Sequence, residues 1–258
     1  MRTFLLVSAA ALSLGILSAA ITESHADASN LLPAKANSEA VAVVELYTSE
    51  GCSSCPPADA VLDAMGREAR AKGLPVFPLA FHVDYWNYIG WDDPFSHKAW
   101  TQRQNQFAAS RGSRRIYTPQ MVVNGQREFV GSSAGKARAA LSEALKSPAQ
   151  VKVKIGALAS QGRTVTAQYS LDTVPEGSKV LLAVTEGGLT SEIGAGENHG
   201  RTLTHGHVVR ALGTDSAQSK GTIKARLPDG VDTKGLTAVI YVQHNRTWKV
   251  LGGAAQTL

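Results

Sequence analysis

The chain holds only two cysteines, three positions apart in Glu50-Gly51-Cys52-Ser53-Ser54-Cys55-Pro56-Pro57, directly after the apolar run Val41-Ala42-Val43-Val44-Glu45-Leu46-Tyr47. A continuous, β-branched run of that kind reads as a strand covered on both faces. Helix formers follow from Ala58 to Lys72 and stop at Gly73, ahead of Pro75. The thiols therefore lie where a strand hands over to a helix. One thiolate of such a pair can attack a disulfide while its neighbour resolves the mixed intermediate, so thiol chemistry is the first expectation.

The N-terminus bears on whether the pair stays reduced. Met1-Arg2 is a short basic start, Phe4 to Ile21 is apolar and rich in Leu, Ala and Ser, and Ser24-His25-Ala26 offers a small-x-small exit. Residues 1–26 read as a secretory signal peptide, with cuts after Ala20 or Ala28 as alternatives. The competing reading is a permanent anchor, since the stretch nearly spans a bilayer. Cleavage implies a periplasmic or secreted protein with no stable membrane insertion, in a compartment where two cysteines serve as a structural disulfide or a redox couple. Residues 27–40 read as a linker. The net charge of +5 is spread over scattered Lys and Arg, with no run longer than Arg114-Arg115. Scattered charge argues against nucleic acid as a partner, and no motif asks for a cofactor.

Further along, Val76 to Val83 reads as a second strand in which Pro78 removes a ladder donor. Pro94 to Arg111 reads as a helix. Gln120 to Asn124 and Arg127 to Val130 form a hairpin about Asn124-Gly125, and Ser133 to Lys146 is a last amphipathic helix. The order from Val41 to Lys146 is that of the thioredoxin fold. In fuller detail, the segments Val44 to Asp59, His82-Val83-Asp84-Tyr85-Trp86 and Tyr117 to Gly125 resemble a family of secreted bacterial thioredoxin-like proteins, the domain of unknown function 1223. The resemblance implies a cis Thr118–Pro119 bond beside the CxxC pair, and it leaves the activity open.

After Pro148 the pattern turns to period two, at Val151, Val153 and Ile155, at Val165 to Leu171, and at Val180, Leu182 and Val184. Further short strands run to Leu251, as in a small β-sandwich. The expected fold is thus an α/β thioredoxin-like domain over residues 41–148 followed by an all-β sandwich-like domain over 149–258.

The expected chemistry is exported thiol-disulfide oxidoreduction on the thiols or disulfides of protein partners. Cys52 at the helix start is the expected nucleophile and Cys55 the resolving thiol. The alternatives are a metal carrier holding copper or zinc on the two thiolates with His82, and an interaction scaffold whose disulfide is only structural. Ser53-Ser54 leaves the redox direction open, and nothing sets the oligomeric state. Glu45 is a candidate for the buried carboxylate that relays a proton to the second cysteine. Tyr85, Trp86, Tyr88 and Trp91 are either a docking surface for an extended peptide or rings packed under the next helix. His82 and Asp84 are candidates to tune the thiolate, the alternative for His82 being a hydrogen-bonded structural histidine. His205 and His207, with His199 nearby, have metal-ligand types, in a Gly-rich segment that alternatively closes over the CxxC face.

Overall fold

A computed structural model describes residues 30–33 and 36–258; the expected signal peptide lies outside the described residues. The chain opens with β1 (Ala42–Thr48), α1 (Pro56–Lys72), β2 (Val76–His82), a 3₁₀ segment at Asp84–Ile89 and α2 (Lys98–Ser110). It continues with β3 (Gln120–Val123), β4 (Arg127–Val130) and α3 (Ala134–Ala144). From there it is all strand: β5 (Val153–Gln161), β6 (Thr164–Leu171), β7 (Ser178–Glu186), β8 (Leu189–Glu192) and β9 (Thr202–His205). The last four are β10 (Val208–Ser216), β11 (Lys220–Arg226), β12 (Thr237–His244) and β13 (Val250–Thr257).

These strands do not form the expected thioredoxin-like domain followed by a β-sandwich-like one. Eight of them make one mixed sheet in the order β13-β12-β7-β10-β2-β1-β3-β4, so the sheet runs across the 148/149 division. The protein is a β-rich fold built on that sheet, with α1, α2 and α3 laid on it. The joint is narrow. β10 pairs with β2 in parallel only at Val208 and Ala80, where the Ala80 amide donates to the His207 carbonyl. Pro78, two residues earlier on the same edge of β2, has no N–H to offer, which accounts for a junction this short.

The physical reason for the merger lies in side chains on both faces of the central strands. β7 and β12 are buried almost throughout, like β1. Val180, Leu182 and Val184 of β7 pack with Val165, Tyr169 and Ile240 under the separate β11-β6-β5 layer. Their neighbours Leu181 and Ala183 join Val43, Tyr47, Phe81, Phe107 and Tyr241 in a core on the other side of the sheet. That core contains residues from both halves and from α2, so neither half is complete alone. A third core, including Val44, Leu46, Leu62, Met65 and Leu141, lies under α1 and α3. Leu31 and Leu32, from the expected linker, are buried in it, and their amides donate to Glu68.

One turn ties the hairpin to the far half. Asn124 (φ 49°) and Gly125 (φ 63°) take the left-handed conformation that a two-residue hairpin loop needs. A Cβ on Gly125 would also stand 1.9 Å from the Trp248 carbonyl oxygen, so only glycine lets the turn between β12 and β13 come this close.

Candidate functional site

β1 delivers the chain to the turn at residues 49–55, at the edge of the sheet where β2 also ends. Cys52 and Cys55 form a disulfide there, with Cα atoms 5.4 Å apart. Both are buried, at 1% and 0% exposure, while Ser53 and Ser54 between them face solvent. α1 starts later than expected for a thiol at its first residue: Cys55 is the N-cap and Cys52 lies in the preceding turn. Pro56 and Pro57 carry no N–H, so the helix's first free donors are Ala58 and Asp59, and both are spent on the Cys55 carbonyl. The Cys52 sulfur has the Ser54 hydroxyl at 3.3 Å.

Thr118–Pro119 is cis, as the resemblance implied. Its link to the pair runs through Trp86: the indole N–H donates to Thr118 Oγ1 (2.7 Å), and the Trp86 Cβ would stand 3.1 Å from a Cβ on Gly51. The other rings of the aromatic stretch also turn polar atoms inward. Trp91 Nε1 donates to Glu50 Oε2 (2.8 Å) and Tyr85 Oη to Gln104 Oε1 (3.2 Å). Trp86, Trp91 and Tyr85 are half-buried, and Tyr88 is the one that projects, at 82% exposure.

Beneath the cysteine turn lies a buried ionisable cluster. His82 Nδ1 is 2.8 Å from Asp93 Oδ2, which also accepts the Glu50 amide; His205 Nε2 is 3.0 Å from Glu50 Oε1. The two imidazoles cross edge to face at 4.9 Å, with Phe95 against both. Their remaining nitrogens, His82 Nε2 and His205 Nδ1, are buried and have no hydrogen-bond partner. Asp59, one helical turn after Cys55, is buried facing this cluster. Burial pushes its carboxyl up to about 6 against the pull of His205 and His82. Burial disfavours the charged His82 imidazolium, but the carboxylates of Asp93, Asp59 and Glu50 together outweigh it and raise the pKa; Asp93 itself is lowered, His82 and the amides of Glu50 and Phe95 together overcoming its burial. Perturbed carboxyls and unsatisfied buried polar atoms are what functional sites accumulate.

The structure separates other candidates from this centre. Glu45 is not near a relay position: it faces the α2 side of the sheet in a two-point pair with Arg103 (2.6 and 3.0 Å), flanked by the hydroxyls of Tyr47 and Tyr241. Asp84 accepts from the Thr101 hydroxyl at the start of α2. His205 belongs to the cluster, but His207 takes φ 58° and packs against Gly66, where a Cβ would stand 2.1 Å from its Nε2. Burial, with Arg70 and Arg67 nearby, lowers that imidazole to about 4. His199 is exposed on the loop beyond. Among the described residues no three His, Cys, Asp or Glu side chains are placed to hold a metal ion. Sequence reasoning missed Asp59, Asp93, Glu50 and Asn198. The only signal for the first was its i,i+4 spacing from Cys55 on a face made of Ala58, Val61 and Leu62.

Residues 43–243 match the family described as protein of unknown function, DUF1223. The chain belongs to that family. No curated protein matches it. Among solved structures, the crystal structure of a protein from Agrobacterium tumefaciens, a structural-genomics target, is 28% identical with a TM-score of 0.61. That likeness covers 86% of this chain and 96% of the other, so it extends through both halves of the sheet. The apo structure of a β-glucuronidase from Ruminococcus gnavus is 11% identical, covers 42% of this chain and 15% of its own, and at a TM-score of 0.22 carries no argument.

Proposed function

We propose that the protein is an exported thiol-disulfide oxidoreductase whose redox couple is Cys52–Cys55. The observation that carries this is the closed disulfide between the chain's only cysteines, set at a sheet edge above buried, incompletely satisfied ionisable groups. A purely structural staple has no need of such a cluster beneath it. The disulfide suits an oxidising compartment, and no helix among the described residues is long and apolar enough to cross a membrane.

In the exchange a partner thiolate attacks Sγ of Cys52. The bond to Cys55 breaks and its electron pair leaves on Sγ of Cys55, which takes up a proton. A second partner thiol then attacks the partner sulfur of the mixed disulfide and releases Cys52. Two electrons have passed from the partner dithiol to the pair, and the reverse sequence oxidises the chain's dithiol with a partner disulfide.

The burial of both sulfurs favours a second reading, a structural disulfide in an interaction protein. Trapping separates the two. Incubated with disulfide-bearing protein partners, the reduced Cys55→Ser variant should accumulate mixed disulfides through Cys52, the partner's second sulfur leaving as a thiol, and wild type should not. If Cys55→Ser forms no adducts while it keeps the fold, the disulfide is a staple.

A further inference from the structure

Neither sulfur is reachable in the closed structure, and the segment that closes it comes from the second half of the chain. The tip of the β8-β9 hairpin, residues 193–201, lies across the cysteine turn. Asn198 is fully buried, and its Nδ2 donates to the carbonyls of Glu50 (2.7 Å) and Cys52 (3.0 Å). The Arg201 guanidinium holds the amide in that orientation by donating to Asn198 Oδ1 (2.8 Å). Beside it the Glu197 carboxylate accepts the Ser53 amide at 2.9 Å. Glu197 is exposed, and these hydrogen bonds from Ser53 lower its pKa. The β8-β9 ladder is a two-stranded sheet separate from the main one; besides these bonds at its tip and His205 on Glu50 at its base, Ile89 and Trp91 lie against Gly196 and Gly194 of the tip, and Ile193 is buried.

We propose that Glu197 and Asn198 occupy the docking edge of the site, and that the partner is an extended polypeptide segment with a carboxylate beside its cysteine, which takes over these backbone groups as the hairpin tip lifts. The chemistry follows from what the tip now satisfies. Two carbonyls flanking the attacked sulfur require N–H donors, which the amides of an extended peptide supply. The Ser53 amide, just before α1, requires an acceptor, and the chain's own choice there is a carboxylate. Because the tip and the partner need the same three groups, they exclude each other. This inference rests on the exchange reading above and names the partner class for it.

The test uses the full chain. Reduction of the disulfide by dithiothreitol is compared in wild type, Asn198→Ala and Glu197→Gln, with circular dichroism as the control for folding. Asn198→Ala should be reduced at least tenfold faster, and Glu197→Gln, an exposed change that keeps an acceptor, two- to threefold faster. Mixed-disulfide formation is then followed with two synthetic peptides identical except for Glu or Lys beside their single cysteine. The Glu peptide should react at least threefold faster with either variant at low ionic strength, the gap narrowing in high salt. Equal dithiothreitol rates in all three proteins overturn the cover, with Glu197→Gln deciding if Asn198→Ala is unfolded. Equal rates for the two peptides, or a faster Lys peptide, overturn the docking edge while leaving exchange intact. Faster dithiothreitol reduction with no adduct from either peptide overturns the exchange reading, and the partner assignment with it.

Discussion

Two buried charge centres flank β1, and they are built on opposite terms. On the α2 side, Glu45 and Arg103 make a two-point pair within reach of Tyr47, Tyr241 and Gln243. Phe81 and Trp248 lie against the guanidinium face. Burial works against the Arg103 charge, yet Glu45 with Tyr241 and Tyr47 more than restores it, and the pKa stands above its ordinary value. Every group there has a partner, and the partners come from both halves of the chain. Under the cysteine turn the accounting is left open: two ring nitrogens are unpaired and Asp59 is held near the midpoint of its titration at mildly acidic pH. The first centre is a lock between halves. The second retains groups that can still gain or lose a proton, which is why the site is placed there and not at the stronger ion pair.

The sharpest way to break the comparison is to remove one partner from each centre. Arg103→Ala strands the Glu45 carboxylate in the core. It should cost about 3–5 kcal/mol of unfolding free energy, read from denaturant midpoints, because an uncompensated buried charge remains. A loss under about 1 kcal/mol would mean that the pair is not what joins the halves.

Asp59→Asn should act with the opposite sign. The folded carboxyl titrates near 6, above its ordinary 3.8, so between those values the native state holds more proton than the unfolded chain. Stability therefore falls as pH rises from about 4 to 6, and the full cost stands at neutral pH. The asparagine variant should be more stable than wild type at pH 7 by up to about 3 kcal/mol, the difference vanishing below pH 4. Wild-type and variant curves that run parallel across that window would show that Asp59 is not held in this state. A smaller effect is expected at the rim: Trp91→Phe removes the donor to Glu50 and should cost about 1.5 kcal/mol.

Part of this was legible in the residues. The strand at Val41 to Tyr47, the hairpin at Asn124-Gly125 and the CxxC turn each carry a local signal, and each is found in place. The architecture was not legible, for a specific reason. The period-two pattern Val180, Leu182 and Val184 puts Leu181 and Ala183 in solvent. Those two are buried, as Val43 and Tyr47 are, because β7 is an inner strand of the large sheet. The continuous apolar run is the same signal as in β1, and reading it alike would have placed both in one sheet. The cluster beneath the cysteines was out of reach because Glu50, Asp59, His82 and Asp93 are separated along the chain and meet through the β1-β2 pairing and the loop after β2, while His205 arrives on the β8-β9 arm. The Glu45 relay was the natural guess from one strand, and a partner on α2 overrode it.

The central claim is that Cys52–Cys55 is an exchangeable couple, and its reduction potential tests that most directly. Wild-type protein is equilibrated with glutathione or dithiothreitol redox buffers, quenched with an alkylating agent, and the fraction of reduced pair is read by mass. A midpoint between about −270 and −120 mV, the range of working dithiol exchangers, is the predicted result. A midpoint below about −300 mV, where structural disulfides lie, would contradict it and make the pair a staple.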